Sequence, residues 1–192
     1  MKKEPLKVGF DLDGVILYNP ARVARPILSL FRNIFLHKQK KHFYIPQSII
    51  GKLFWSILHK TSIRPARGYE RIKKLVDENK IKAYLITGRY KVLKSDFEDW
   101  TDRLNAKSVF TEVLYNKNNK QPHEFKKQVI EKLNLDIFVE DNWDIIKLLT
   151  QKKRNSLTIL WITNFLDRVI PYQNKFSSLN QIMDFLEKRF KF

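Results

Sequence analysis

The stretch KVGFDLDGVIL, residues 7–17, decides the fold. It is a nearly continuous apolar run with β-branched residues, the pattern of a strand covered on both faces. Yet it carries two aspartates, Asp11 and Asp13, two positions apart. A desolvated carboxylate is costly unless something compensates for it. Both acids are therefore expected at the strand's exit, where Gly14 lets the backbone turn sharply. Residues two apart on an extended strand share a face.

Strand-like and helix-like segments alternate beyond this point. Tyr69 to Asn79 reads as a helix, with Ile72, Leu75 and Val76 on one face and charges opposite. IKAYLITG (81–88) is a second buried strand ended by Gly88, and 91–105 a helix with Leu93, Phe97, Trp100 and Leu104 on one stripe. SVFTEVLYN (108–116) is a weaker strand, nearer an edge. HEFKKQVIEKLN is a helix, LDIFVED (135–141) a strand, WDIIKLLTQKK a helix and LTILWIT (157–163) a strand. A capping box, Ser178-Leu179-Asn180-Gln181, opens the last helix before Ile182, Phe185 and Leu186. Strands alternating with helices predict an α/β fold with a doubly wound, three-layer parallel sheet.

The 192 residues suit one compact domain with a small insertion. The net charge of +17 is unevenly placed: between Gly14 and Gly68 there is no Asp or Glu, but ten Lys or Arg and three of the four histidines. Such asymmetry points to an anionic partner, be it a phosphorylated metabolite, a nucleic acid or an acidic membrane; a solvated basic surface is the plainer alternative. Pro26 to His37 and Ser48 to His59 read as two helices joined by the polar HKQKKHFYIPQ, a basic helical cap inserted after the first strand. A role for these helices at a membrane surface is weighed against simple packing, and packing is preferred.

The chain has no cysteine, which excludes disulfides, thiol catalysis and cysteine-ligated zinc and fits a reducing, cytoplasmic location. The start mimics a signal peptide, but Asp11 and Asp13 would fall inside its apolar part, so none is expected. No apolar run approaches the roughly 20 residues of a membrane span. His37, His42, His59 and His123 show no zinc-ligand spacing. Tyr18, Phe43, Tyr44 and Trp55 could stack on a base, with core packing as the preferred reading. No feature of the sequence specifies an oligomeric state.

Ligands of open α/β sheets bind beyond the carboxyl ends of the strands. Asp11 and Asp13 end the first strand, and Glu140-Asp141 end LDIFVED. If those strands are neighbours, the acids converge, and their repulsion calls for a cation; hard oxygen ligands suit Mg²⁺. Thr87-Gly88-Arg89, at another strand end, offers a hydroxyl and backbone amides to a phosphate, and lysines between Lys120 and Lys127 add positive charge. A carboxylate nucleophile, a cation, a hydroxyl and a lysine are the parts of phosphoryl transfer through an aspartyl-phosphate. Singly, each motif has a plainer reading: Asp13 as a turn aspartate, Asp141 as a helix N-cap, Thr87-Gly88 as an ordinary turn. Jointly they all fall at strand carboxyl ends.

DLDGV, ITGR, a lysine ahead of the next strand, and VEDNWD resemble, in order, the four motifs of the haloacid dehalogenase (HAD) superfamily. The resemblance covers about residues 6–20 and 68–188 and implies a HAD-like core over 1–18 and 68–192, with a cap over 19–67 placed where that superfamily inserts one. It further implies that Asp11 is the nucleophile and Asp13 the general acid and base, whose backbone carbonyl is also a metal ligand. Thr87 and the Gly88 amide, with Arg89, would bind the phosphoryl group, and Asp141 would bind Mg²⁺ with Glu140 or Asp144 in support. Lys126 is the preferred lysine and Lys120 the alternative. Glu140 departs from the family's usual paired aspartates. Members that dehalogenate lack the second aspartate, so Asp13 favours a phosphatase. The expected activity is Mg²⁺-dependent hydrolysis of a small phosphomonoester such as a nucleotide, since short capped members resemble nucleotidases. Action on nucleic-acid ends or nucleic-acid binding through the cap, and a HAD-like binding module without turnover, are the alternatives.

Overall fold

The computed structural model describes residues 4–20, 43, 48, 49, 61–151 and 157–191. Apart from Ser48 and Ile49, the expected cap helices lie outside these residues, as do Tyr44, Trp55 and His37, His42 and His59.

Strands β1 (Leu6–Phe10), β4 (Ile81–Tyr90), β5 (Glu112–Asn116), β6 (Ile137–Glu140), β7 (Thr158–Ile162) and β8 (Lys175–Phe176) form one parallel sheet in the order β5-β4-β1-β6-β7-β8. A separate antiparallel pair, β2 (Leu17–Tyr18) and β3 (Arg64–Pro65), brings the two ends of the inserted stretch together. Among the described residues the α-helices are α1 (Tyr69–Asp77), α2 (Lys94–Arg103), α3 (Ala106–Val109), α4 (Pro122–Leu133), α5 (Trp143–Thr150) and α6 (Leu179–Phe190).

Period-two alternation sorts the strand side chains into two cores. Ala83 and Leu85, Ile137 and Val139, and Leu160 and Ile162 pack with residues of α1, α2, α3 and α6 on one face. Tyr84 and Ile86, Phe138, and Ile159 and Trp161 pack with α4 and α5 on the other. This is the expected three-layer α/β arrangement. On the second face the middle of β1 is Gly9, where a Cβ would lie 2.5 Å from Leu135 and 2.9 Å from Phe138. The missing side chain lets those two residues close over the central strand.

The chain runs outward from β1 through β4 to β5, then crosses back to β6 on the other side of β1. Open α/β sheets bind ligands at such a reversal, beyond the carboxyl ends of the strands. Here that point is the exit of β1 and of its two neighbours, β4 and β6.

Three sequence readings change in detail. β1 stops at Phe10, and Val15-Ile16-Leu17 belong to a buried turn and the start of β2, all with no exposed surface. Ser108 and Val109 are helical, because a short turn of helix buries Ala106 and Val109, and packing overrides their β propensity; β5 then lies at the sheet edge, as expected. At α6, Ser178 Oγ accepts from the Gln181 amide at 3.3 Å, but the Gln181 side chain takes the Ser177 amide at 2.9 Å, one residue earlier than in a capping box. Among the described residues no helix is long and apolar enough to cross a membrane.

Phe138 is fully buried on β6, so Phe138→Ala is expected to lower stability by roughly 3–5 kcal/mol, measurable by urea unfolding.

Candidate active site

The site begins where β1 ends. The Asp11 amide donates to the Val139 carbonyl of β6 at 3.0 Å, after which the chain leaves the sheet. The turn is closed by Gly14 N–H to the Leu17 carbonyl and Leu17 N–H to the Leu12 carbonyl, both 2.8 Å. Gly14 has φ +81°, and a Cβ there would stand 2.0 Å from Asp141 Oδ2. Glycine is thus required both by backbone conformation and by the approach of Asp141.

β1 and β6 are paired in parallel with Phe10 opposite Val139, so Asp11 and Glu140-Asp141 emerge side by side. Lys126, on α4, reaches between them and is buried with them. Its Nζ lies 3.0 Å from Asp11 Oδ1 and 2.7 Å from Glu140 Oε2. The other Glu140 oxygen accepts from the amides of Asp141 at 3.2 Å and Asn142 at 3.1 Å. Close approach of strand to helix sets this placement: a Cβ on Gly88, near the end of β4, would lie 2.9 Å from the Pro122 ring at the start of α4. Asp141 is held through its backbone, whose carbonyl accepts from the Trp161 indole at 3.2 Å. That indole stacks on Trp143 with ring centroids 4.6 Å apart.

Burial raises the Asp11 pKa well above the ordinary carboxylate value, with Glu140, Asp141 and Asp13 adding to the rise and Lys126 opposing it. Burial raises Glu140 as well, again against Lys126. Burial disfavours the Lys126 charge, but Asp11 and Glu140 outweigh that cost and the ammonium's pKa is raised. Asp11, Glu140 and Asp141 each offer an oxygen, all within 4.8 Å of one another. Lys126 pairs with Asp11 and Glu140, and the all-oxygen donor set of the three clustered carboxylates fits Mg²⁺.

Asp13 is enclosed separately. Arg89 Nε donates to its Oδ2 at 2.8 Å and Nη2 to its Oδ1 at 2.7 Å, while Nη1 pairs with Asp96. The Ser62 hydroxyl, beside β3, adds a bond to Oδ1 at 2.8 Å. The Thr87 hydroxyl accepts from the Arg89 amide at 3.3 Å, where the β4–β5 register shifts. Lys120, by contrast, is turned to Gln128 and exposed, and Asp144 pairs with Lys147 on the surface of α5.

Sequence reasoning did not find Ser62, Asp96 or Trp161. Ser62 is 49 positions from Asp13 and joins it through the β2–β3 pairing. Asp96 looks like any acid on the polar side of an amphipathic helix, and Trp161 like any apolar strand residue. None carries a local signal.

No family model matches the sequence, and no curated protein matches it. Solved structures do. A HAD-hydrolase from Bacillus subtilis, YfnB, bound to magnesium, aligns with TM-score 0.62 and 13% identity over 96% of this chain and 100% of its own. A HAD-superfamily hydrolase from Ehrlichia chaffeensis aligns with TM-score 0.55 and 16% identity over 99% and 100%. CbbY from Rhodobacter sphaeroides, in complex with phosphate, aligns with TM-score 0.58 and 12% identity over 92% and 95%. The chain has the HAD-hydrolase fold. Within that HAD-like sheet, the carboxylate cluster occupies the reversal point of the strand order.

Two outcomes are expected. Folded Asp11 and Glu140 hold protons more tightly than in the unfolded chain. Their contribution to stability therefore falls as pH rises above the ordinary carboxylate range, whereas Mg²⁺ binding needs them ionised. The Mg²⁺-induced rise in Tm, read by scanning calorimetry, should be larger at about pH 8 than at about pH 5. Gly14→Ala should cost about 1–3 kcal/mol through backbone strain alone, with further loss from the Asp141 clash, seen as an earlier urea midpoint.

Proposed function

We propose that the protein is a Mg²⁺-dependent phosphomonoester hydrolase that works through an aspartyl-phosphate on a small phosphorylated metabolite such as a nucleotide. The observation that carries this reading is the Lys126 ammonium set between Asp11 and Glu140 at the exits of two adjacent central strands. The bound magnesium of the Bacillus neighbour and the bound phosphate of the Rhodobacter one support it.

In the first half-reaction an Asp11 carboxylate oxygen bonds to phosphorus as the ester P–O bond breaks, and the leaving oxygen takes a proton from Asp13. In the second, water attacks the same phosphorus and gives a proton to Asp13. The bond from phosphorus to Asp11 breaks, restoring the carboxylate and releasing inorganic phosphate. Lys126 neutralises Asp11 so that an anionic phosphate can approach it. The Thr87 hydroxyl and Gly88 amide hold the transferred oxygens. Mg²⁺, held by Asp11, Asp141 and the Asp13 carbonyl with Glu140 behind them, would screen the phosphate's charge. Residues 1–18 and 68–192 form the core in this reading, and the basic cap, residues 19–67, draws the anion in.

Purified protein with Mg²⁺ should release phosphate from p-nitrophenyl phosphate and from members of a panel of nucleotides and sugar phosphates. Asp11→Asn should fall to background, and wild-type turnover in that variant rules the mechanism out. The acid-free stretch between Gly14 and Gly68 also favours a second reading, a 5′- or 3′-phosphorylated oligonucleotide as substrate or ligand. Such binding should weaken steeply with salt as counterions are released; affinity that does not change with salt rules it out. A chain that turns over nothing in the panel is a HAD-like binding module.

A further inference from the structure

All three guanidinium nitrogens of Arg89 point at carboxylates of the protein itself: Nε and Nη2 at the two oxygens of Asp13, Nη1 at Asp96. The side chain has no exposed surface. It therefore has no face to offer a substrate phosphate, although its place after Thr87-Gly88 suggests that role. Asp13, for its part, lies outside the group of Asp11, Glu140 and Asp141, whose oxygens converge within 4.8 Å.

We propose that Arg89 is a positioning residue: with Ser62, it fixes the Asp13 carboxylate apart from the cation-binding carboxylates, at the place where it meets the leaving oxygen. This rests on the phosphatase reading. A planar fork bonding both carboxylate oxygens fixes rotation about the Cβ–Cγ bond, which a single point charge does not. The Ser62 bond to Oδ1 comes from the opposite end of the inserted stretch and restrains the carboxylate from a second direction. Asn19 donates to the Ser62 hydroxyl at 3.2 Å and accepts from Thr61 at 2.9 Å. The segment ends on either side of the insertion therefore hold Ser62 in turn. Without the fork, Asp13 is free to swing toward a cation held by Asp11 and Asp141, and it then ligates instead of transferring a proton. Asp96 keeps the guanidinium itself oriented.

Proton donation matters most when the leaving group is a poor one, so the chemistry of the leaving group separates this role from others. Arg89→Ala, Arg89→Lys and, as reference, Asp13→Asn are assayed against an alkyl phosphate, glycerol phosphate, and an activated one, p-nitrophenyl phosphate, whose leaving group needs no proton. The expected result for Arg89→Ala is about a 100-fold loss of kcat/KM on the alkyl ester and a much smaller loss of kcat/KM on the aryl ester. This ratio reports the first half-reaction, whereas the hydrolysis that Asp13 also serves is common to both esters. Arg89→Lys, which keeps the buried positive charge and the fold but lacks the fork, should show the same selective loss in smaller measure. Equal losses of kcat/KM on both esters overturn the proposal, and where these come from a raised KM at unchanged kcat they make Arg89 a substrate contact. Absence of turnover in the wild type is a failure of the phosphatase reading alone. In that event the crystal structure of Arg89→Lys decides: a displaced Asp13 carboxylate supports the positioning role, and one left unmoved on Ser62 overturns it.

Discussion

The Lys126 ammonium between Asp11 and Glu140 is the interaction on which the site depends. It is buried, and so are both carboxylates. Removing one member of such a group strands a charge in a low-dielectric interior, at a cost of roughly 3–5 kcal/mol. The arrangement holds because several packing facts agree: β1 and β6 pair in register, α4 begins against Gly88, and Gly14 lets the first turn fold down upon Asp141. A bulkier residue at either glycine moves an element that carries a charge.

The site divides its acids between two cations with different geometry. Lysine is a point charge and serves the cluster of Asp11 and Glu140, whose oxygens, with one of Asp141, make a donor set that would suit a divalent ion. Arginine is a planar fork and encloses Asp13. The two aspartates of a single strand exit, two positions apart, thereby meet separate environments. Ser62 adds a second consequence, since the part of the chain that returns from the insertion bonds directly to one of these carboxylates.

Much of this was legible in the residues. Apolar runs marked β4, β6 and β7 as buried strands, and helical spacing at Ile72 and Leu75, and at Phe97, Trp100 and Leu104, marked the buried faces of the first two helical segments. Asp11, Asp13 and Asp141 could be found because acids are conspicuous in apolar runs, and Gly14 because it follows them. The last residue of β1 was harder: Val15-Ile16-Leu17 is as apolar as a strand, and although Gly14 marks a turn, it is the Asp11 amide's last bond to β6 and the bonds of the turn that fix where the chain leaves the sheet. Ser108-Val109 was misjudged for a related reason, since a short buried helix and a short strand have the same composition.

The sequence by itself determined the layer architecture, the strand ends that bear carboxylates and the basic character of the insertion, because periodicity and charge are properties of neighbours along the chain. Which acid meets which cation was decided by tertiary structure. Lys126 and Lys120 lie in the same lysine-rich stretch, but Lys126 sits on the buried face of α4, whereas Lys120 precedes that helix and meets Gln128 at the surface. Arg89 follows a phosphate-binding pattern in sequence, yet the fold places Asp13 and Asp96 on its three nitrogens. Pairings at such separations depend on distance in space, and distance is set when the strands and helices pack.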